Sequence, residues 1–586
     1  MSAINSSKFA RNQLAAMAGV ATRAEAMAAA VTVPTWLVFL VATGLGTWAL
    51  WLYSEANLTL AYGDAIAHLN TSRRMVDSVT PSFSQLGSVW LPLPHLLMLP
   101  TIWNDTLWHT GLSGSIVSVL AFGLSTAYIY RSIYALTQNG VGALLGSALF
   151  ATNANLLFMQ ATPMAESLTI FLVLGATFHL LRWVQGGSLI HFMLSATFVI
   201  AATMTRYEDW ILVPAGLAVV AVTSFHRHRS VGHVEGFTLA WGTLACYGVF
   251  LWFLYNQVIF GDMLYFSSGG GGATTYASLA EADGFLPTKH DPLVSTSVFG
   301  WAVIDNLGLP LVVASATGSV LLMVSRVPLP IKLVALLPFS LFVFHVVSLT
   351  AGQSVLWSPH SFPNDFYNSR YGLLILPAAV ITAGYLASRQ LRSVGLLVLA
   401  AVLLPQLVAL PFMAEGISDT QDRVEALEKR EVAGAWVDSN FPIVKAGQPI
   451  TIVEASIFDD EKVDAAANWI GDYARDGRIL ISAQANRTSI LMFQSGLPLS
   501  RFISEGNKPY FSEELQSPGR HTRWIVYQPG EALDALRPLV EPAGPEGFQI
   551  VFEGGGFQVF ERSDEVPTIK NIQSGSLSIP LGWSSP

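Results

Sequence analysis

TWLVFLVATGLGTWALWLYS, residues 35–54, runs for 20 residues without a charge. An α-helix of that length crosses the ~30 Å hydrocarbon core of a bilayer. Working outward, comparable stretches recur at 112–134, 139–158, 165–183, 189–205, 209–225, 236–259, 301–324, 329–350, 372–388 and 394–413, giving eleven candidate spans. The segment SVWLPLPHLLMLPTIWN, 88–104, is equally apolar but short, and Pro92, Pro94 and Pro100 interrupt it. Proline removes a helix hydrogen bond and clashes with the preceding turn. This segment therefore reads as a helix lying in the membrane interface or dipping into it.

Composition agrees. Of the 586 residues, 52% are hydrophobic and 12% charged, against about 25% charged in an ordinary soluble protein. That excludes a large cytosolic enzyme and a disordered chain. A net charge of -9 argues against nucleic acid as a partner. The single cysteine, Cys246, excludes an internal disulfide framework and a cysteine-based metal site. The charges are unevenly placed. Residues 1–413 hold 16 Lys+Arg and 15 Asp+Glu, whereas residues 414–586 hold 15 and 25. The expected organisation is an Ala-rich amphipathic segment at 1–33, an all-α polytopic membrane domain at 34–413, and an acidic soluble domain at 414–586.

The excess of Lys and Arg in cytoplasmic loops orients the chain. With the N-terminus in the cytoplasm, eleven spans place 11 of the 16 basic residues of the membrane domain inside. Only Arg73, Arg74, Arg206, Lys289 and Arg370 fall outside, together with 13 of the 15 acids. Were 88–104 to span, every later loop would flip and the rule would fail. The soluble domain is then extracytoplasmic. Its sequence alternates helical patterns (422–437, 460–473) with strand patterns (450–453, 479–481, 524–527, 548–552, 556–560), which reads as a small α/β domain. It carries no Gly-rich phosphate loop, metal signature or nucleophile elbow.

Ionisable groups at membrane level are costly, so they are functional candidates. Five stretches bring them to the outer face: Tyr62–His68, Ala161–Glu166, Thr205–Trp210, Ser358–Asp365 and Asn368–Tyr371. Asp64 is a candidate general base; it also suits a helix N-cap. His68, one turn on, shares its face, which gives the spacing of a metal pair as another reading. His68 and Asp209 hint at a divalent metal in the same way. Arg370 and Arg206 each adjoin a tyrosine, Tyr371 and Tyr207, and an arginine fork matches phosphate oxygens. Glu166 suits the first turn of a helix opening at Pro163. It could also pair with Arg206, as could Glu208 or Asp209. His360 completes the set. The run Gly269–Gly272 reads as a flexible loop tip or a lid over substrate.

Taken in order, these residues resemble a family. An early acid in a long first outer loop, the segment Trp90-Leu91-Pro92-Leu93-Pro94, and an Arg370-Tyr371 pair followed by Pro377 resemble membrane glycosyltransferases of the GT-C type. The TPMAE and TRYEDW stretches look like those of bacterial relatives of protein O-mannosyltransferases and the lipid A aminoarabinose transferase. The resemblance covers roughly residues 30–413. It implies a hexosyl- or pentosyltransferase in a bacterial plasma membrane, taking a sugar from a polyprenyl-phosphate carrier at the outer face. It implies transfer with inversion to a glycan, lipid or protein hydroxyl, with Asp64 as base and with Arg370, Tyr371 and Arg206 at the donor phosphate. His68, Glu166, Glu208, Asp209 and His360 would be supporting groups. Protein O-mannosyltransferases show adjacent Asp-Glu where this chain has Asp64-Ala65, which weighs against a protein acceptor. Two alternatives remain at this point. One is a transporter or flippase for a lipid-linked saccharide. The other is an oligosaccharyltransferase or ligase with a pyrophosphate-linked donor and often a metal.

Overall fold

The computed structural model describes residues 32–269, 272–388, 399–404, 406–407, 461–485, 487–541 and 543–563. They fall into two compact units, one before residue 461 and one from Glu461 onward. The expected span 394–413 lies mostly outside the described residues. So do the expected segment 1–33, the boundary at 413, and the elements at 422–437 and 450–453.

The first unit is helical. Its principal helices are α1 (Thr35–Glu55), α2 (Gly63–Arg74), α3 (Leu93–Ile102), α4 (Leu112–Thr137), α5 (Gly140–Ala151), α6 (Ala154–Met159), α7 (Glu166–Gly186) and α8 (Leu189–Thr203). They continue with α9 (Leu212–His228), α10 (Val231–Ala245), α11 (Tyr247–Phe260), α12 (Ala273–Ala282), α13 (Pro292–Leu307), α14 (Leu309–Val324), α15 (Leu329–Ala335), α16 (Ser340–Thr350) and α17 (Leu376–Ala387). Among the described residues, five helical stretches are long and apolar enough to cross a bilayer, or up to eight when each bent pair counts as one span. α3, α5 and α8 are shorter apolar helices. The chain is an integral membrane protein.

Several expected spans are broken. The stretch 139–158 divides into α5 and α6 at Asn153, whose side chain caps α6 by accepting from the Leu156 amide. The stretch 301–324 turns by 109° at Gly308, between α13 and α14. Gly308 has φ 79° and ψ 139°, a conformation that a side chain resists, and Pro310 follows in the first turn of α14. α10–α11 and the α15–α16 stretch bend by 42° and 52°. The Pro-framed stretch at 88–104 forms the ten-residue α3, with Pro100 inside it.

α4 and α7 are largely buried at the centre of the unit. Without a hydrophobic drive between helices in lipid, close backbone approach by small residues holds such a bundle. A Cβ on Gly123 of α4 would lie 2.1 Å from Thr43 of α1, and one on Gly318 of α14 would lie 2.1 Å from the Thr382 carbonyl of α17.

The second unit carries a five-stranded sheet in the order β2-β1-β3-β5-β4. Its strands are β1 (Ile479–Ile481), β2 (Phe502–Ile503), β3 (Trp524–Tyr527), β4 (Phe548–Gly554) and β5 (Phe557–Arg562). β2, β1 and β3 run parallel, and β5 and β4 close the sheet antiparallel. Gly555 and Gly556, both at positive φ, make the two-residue turn of the β4–β5 hairpin. The expected α/β character is what the described residues show. Helix Glu461–Tyr473 and strands β1 and β3 lie where the pattern put them, and the two-residue β2 was not anticipated.

Candidate functional site

Four segments converge on one group of charges. Asp64 stands in the first turn of α2, where a carboxylate suits the helix dipole. It is not the N-cap: that position is Tyr62, which makes no side-chain cap. The Asp64 carboxylate instead accepts from Arg370 Nη2 at 2.7 Å. Arg370 Nε donates to Glu166 Oε1 at 3.2 Å, and Arg206 Nη1 donates to the same oxygen at 2.8 Å. Arg206 Nε also donates to Glu208 Oε1. The result is a chain of alternating charge, Asp64–Arg370–Glu166–Arg206–Glu208. Burial is deepest at its middle and least at one end: Glu166 is 0% and Arg370 4% exposed, whereas Asp64 is 45% exposed.

The scaffold fixes each member. Glu166 opens α7, and its turn is tied to α4 by Ser115 Oγ and Ser118 Oγ, which donate to the carbonyls of Ala161 and Met164. Arg206 lies in extended backbone between α8 and a 3-10 turn, Tyr207–Ile211. Arg370 lies in the 3-10 turn Ser369–Ile375, held by Asn306 Nδ2 donating to the Ser369 carbonyl at 2.8 Å. A Cβ on Gly372 would sit 2.2 Å from the Ala302 carbonyl of α13, so this turn lies directly on that helix. Aromatic faces flank the guanidiniums. Arg370 lies 4.9 Å from the Tyr62 ring centre and 5.2 Å from that of Tyr371, and Arg206 lies 5.0 Å from Tyr371. Tyr371 in turn stacks on His345 at 5.3 Å.

The supporting residues divide. His68 is 4% exposed and shares a hydrogen bond with His95, Nδ1 to Nε2, at 2.8 Å. Burial holds its pKa down to about 4, although Asp64 and Glu166 act in the opposite direction. Asp64 and His68 thus hydrogen-bond to Arg370 and His95 respectively. Among the described residues, no three His, Cys, Asp or Glu side chains gather as metal ligands would. Asp209 is fully buried and accepts from Thr169 of α7 at 3.1 Å. His360 pairs with Asp305 at 3.2 Å and stacks on Trp301 at 4.1 Å. Arg206 is held in its charged form: burial pulls its pKa down, and Glu166 and Glu208 together raise it above the ordinary value.

The sequence reading missed His95, His345 and Asp305, and gave Tyr62 no role within the stretch it opens. For His95 the signal was a histidine inside the Pro-framed apolar stretch. For Asp305 it was a lone acid inside an expected span.

No protein-family model matches the chain, and no curated protein matches it. Solved structures do. The chain is similar to ArnT from Cupriavidus metallidurans bound to undecaprenyl phosphate, with a TM-score of 0.51 and 13% identity, covering 91% of this chain and 99% of that one. The apo state of the same protein aligns with a TM-score of 0.40 and 15% identity, over 89% of this chain and 99% of that one. The chain therefore shares the fold of the undecaprenyl-phosphate-bound ArnT structure.

Proposed function

We propose that the chain is a membrane glycosyltransferase that moves a sugar from a polyprenyl-phosphate carrier to an acceptor hydroxyl, with Asp64 as base. The observation that carries this reading is the charge chain, in which a half-exposed carboxylate shares a guanidinium with a buried one. The fold adds support, because a solved structure that shares it is bound to undecaprenyl phosphate. An apolar cavity of about 410 Å³ adds more. It opens in the α13–α14 elbow and is lined by Leu307, Val312, Phe339, Phe342, Ile375 and Ala379 among others. Ile375 closes the turn that carries Arg370. An isoprenoid chain with its phosphate near Arg370 suits that surface.

The chemistry follows from the pairing. A donor phosphate competes with Asp64 for Arg370, whose other edge stays on Glu166. Asp64, released, accepts the proton of the acceptor hydroxyl. The acceptor oxygen bonds to the anomeric carbon from the face opposite the carrier, and the bond from that carbon to the phosphate oxygen breaks. The electron pair leaves with the phosphate, whose charge Arg370 and Arg206 stabilise. A good leaving group lessens the need for a general acid.

Purified protein in lipid nanodiscs, given undecaprenyl-phosphate-linked sugars and a membrane acceptor extract, tests the reading. Asp64→Asn should lose at least about 1,000-fold in transfer while unfolding at a similar temperature. Full activity in that variant would remove Asp64 from the mechanism.

A further inference from the structure

We propose that His68 presents a fixed hydrogen-bond acceptor, its Nε2 lone pair, to a saccharide hydroxyl in this site, and that His95 sets that tautomer. The ligand class rests on the glycosyltransferase reading; the tautomer rests on the hydrogen-bond geometry of two buried, neutral rings.

The Leu91 carbonyl lies 3.1 Å from His95 Nδ1 and can only accept, so Nδ1 carries the proton. A neutral His95 then has its lone pair on Nε2. His68 Nδ1, 2.8 Å away, must donate to it. That leaves the lone pair of a neutral His68 on Nε2, and burial keeps His68 neutral at physiological pH. The relay thus reads from a backbone carbonyl through two rings to one lone pair, the way an orienting partner fixes a working histidine.

Nε2 of His68 has no hydrogen-bond partner among the described residues, and the residue is 4% exposed. His68 lies one helical turn from Asp64 on the same face of α2. The charges of Asp64, Glu166, Arg206 and Arg370 all act on it. The ring of Trp90 lies 4.6 Å from its own and offers a flat apolar face. An acceptor there cannot bond the phosphodiester of a lipid-linked sugar or a carboxylate, which bring no proton at neutral pH. It suits a hydroxyl, and a ligand lacking that hydroxyl would leave it unpaired, the situation that discriminates most strongly between substrates.

Solid-state NMR of the full-length protein, 15N-labelled at histidine and held in nanodiscs, tests this, with His68 assigned by difference from His68→Gln. The expected spectrum at pH 7.5 shows protonated Nδ1 and unprotonated Nε2, and His95→Phe abolishes that single tautomer. Undecaprenyl-phosphate-linked glucose, mannose or arabinose should move the Nε2 resonance, whereas undecaprenyl phosphate alone should not. A shift with free methyl hexosides instead would place the hydroxyl on the acceptor. A protonated Nε2 in the wild type, or an Nε2 that no saccharide moves, overturns the proposal. In transfer, His68→Phe should lose about 100-fold in kcat/KM, with KM rising for the substrate whose hydroxyl is held. His68→Gln keeps a carbonyl acceptor and should stay within about tenfold. Wild-type rates in His68→Phe would also overturn it. Retained transfer in Asp64→Asn would sink the base assignment and leave the His68 result standing.

Discussion

At the residue scale, Glu166 holds two arginines with one carboxylate oxygen and is wholly buried. Removing its charge takes away the buried counter-charge that the two guanidiniums share, leaving each with a single carboxylate, Asp64 for Arg370 and Glu208 for Arg206. Glu166→Gln should therefore cost about 3–5 kcal/mol of stability, seen as a fall in the unfolding temperature in detergent. The loss should exceed that of Asp64→Asn, because Asp64 is half exposed and leaves Arg370 still paired. His68 gives a pH dependence of known sign. Its pKa is about 4 in the fold against 6.5 ordinarily, so between those values the unfolded chain binds the proton and the folded one does not. The stability contribution is complete above pH 6.5 and is lost as pH falls toward 4. It amounts to on the order of 3 kcal/mol, and His68→Gln should flatten that part of the profile. Asp64, Glu166, Arg206, Glu208 and Arg370 were legible in the sequence because an ion at membrane level needs a reason. His95 was not, because its role exists only once a ring 27 positions away meets it.

At the element scale, the helices that hydropathy located well are those that are straight. α1, α4 and α7 begin and end within three residues of the stretches 35–54, 112–134 and 165–183. The stretch 301–324 misled because hydropathy registers composition and not direction. The stop signal lay in Asn306-Leu307-Gly308-Leu309-Pro310, a glycine at positive φ before a proline. That turn matters to the site, since Asn306, at the end of α13, holds the Ser369 carbonyl beside Arg370. Gly308→Ala should cost roughly 1–3 kcal/mol through backbone strain. Gly372→Ala would press a methyl group into the α13 backbone 2.2 Å away. It should cost a similar amount, roughly 1–3 kcal/mol, and also lower activity, because the turn that moves carries Arg370. A stability loss with unchanged kcat would separate the packing of that turn from the chemistry.

At the scale of the whole molecule, the two sets of basic residues occupy opposite ends of one helix. The N-terminal end of α7 holds Glu166 with Arg206 and Arg370. Near the other end lie Arg182, Arg131 over the Phe178 ring at 4.2 Å, and Arg227, whose guanidinium donates to the carbonyls of Trp183 and Val184. The 21 residues of α7 span about 31 Å at 1.5 Å per residue, close to the ~30 Å of a bilayer core. The charge chain and the Arg182–Arg227 group are therefore a membrane apart, and the positive-inside rule assigns the second to the cytoplasm. The single cysteine makes that assignment directly measurable. In a Cys246→Ser background, Asp283→Cys and Arg229→Cys each supply one thiol, at exposed positions on the two expected sides. A membrane-impermeant maleimide on intact cells should label the first and reach the second only after lysis. The reverse pattern would put Asp64 in the cytoplasm. A nucleotide-activated sugar could reach it there, and the need for a lipid-carried donor would disappear with the orientation.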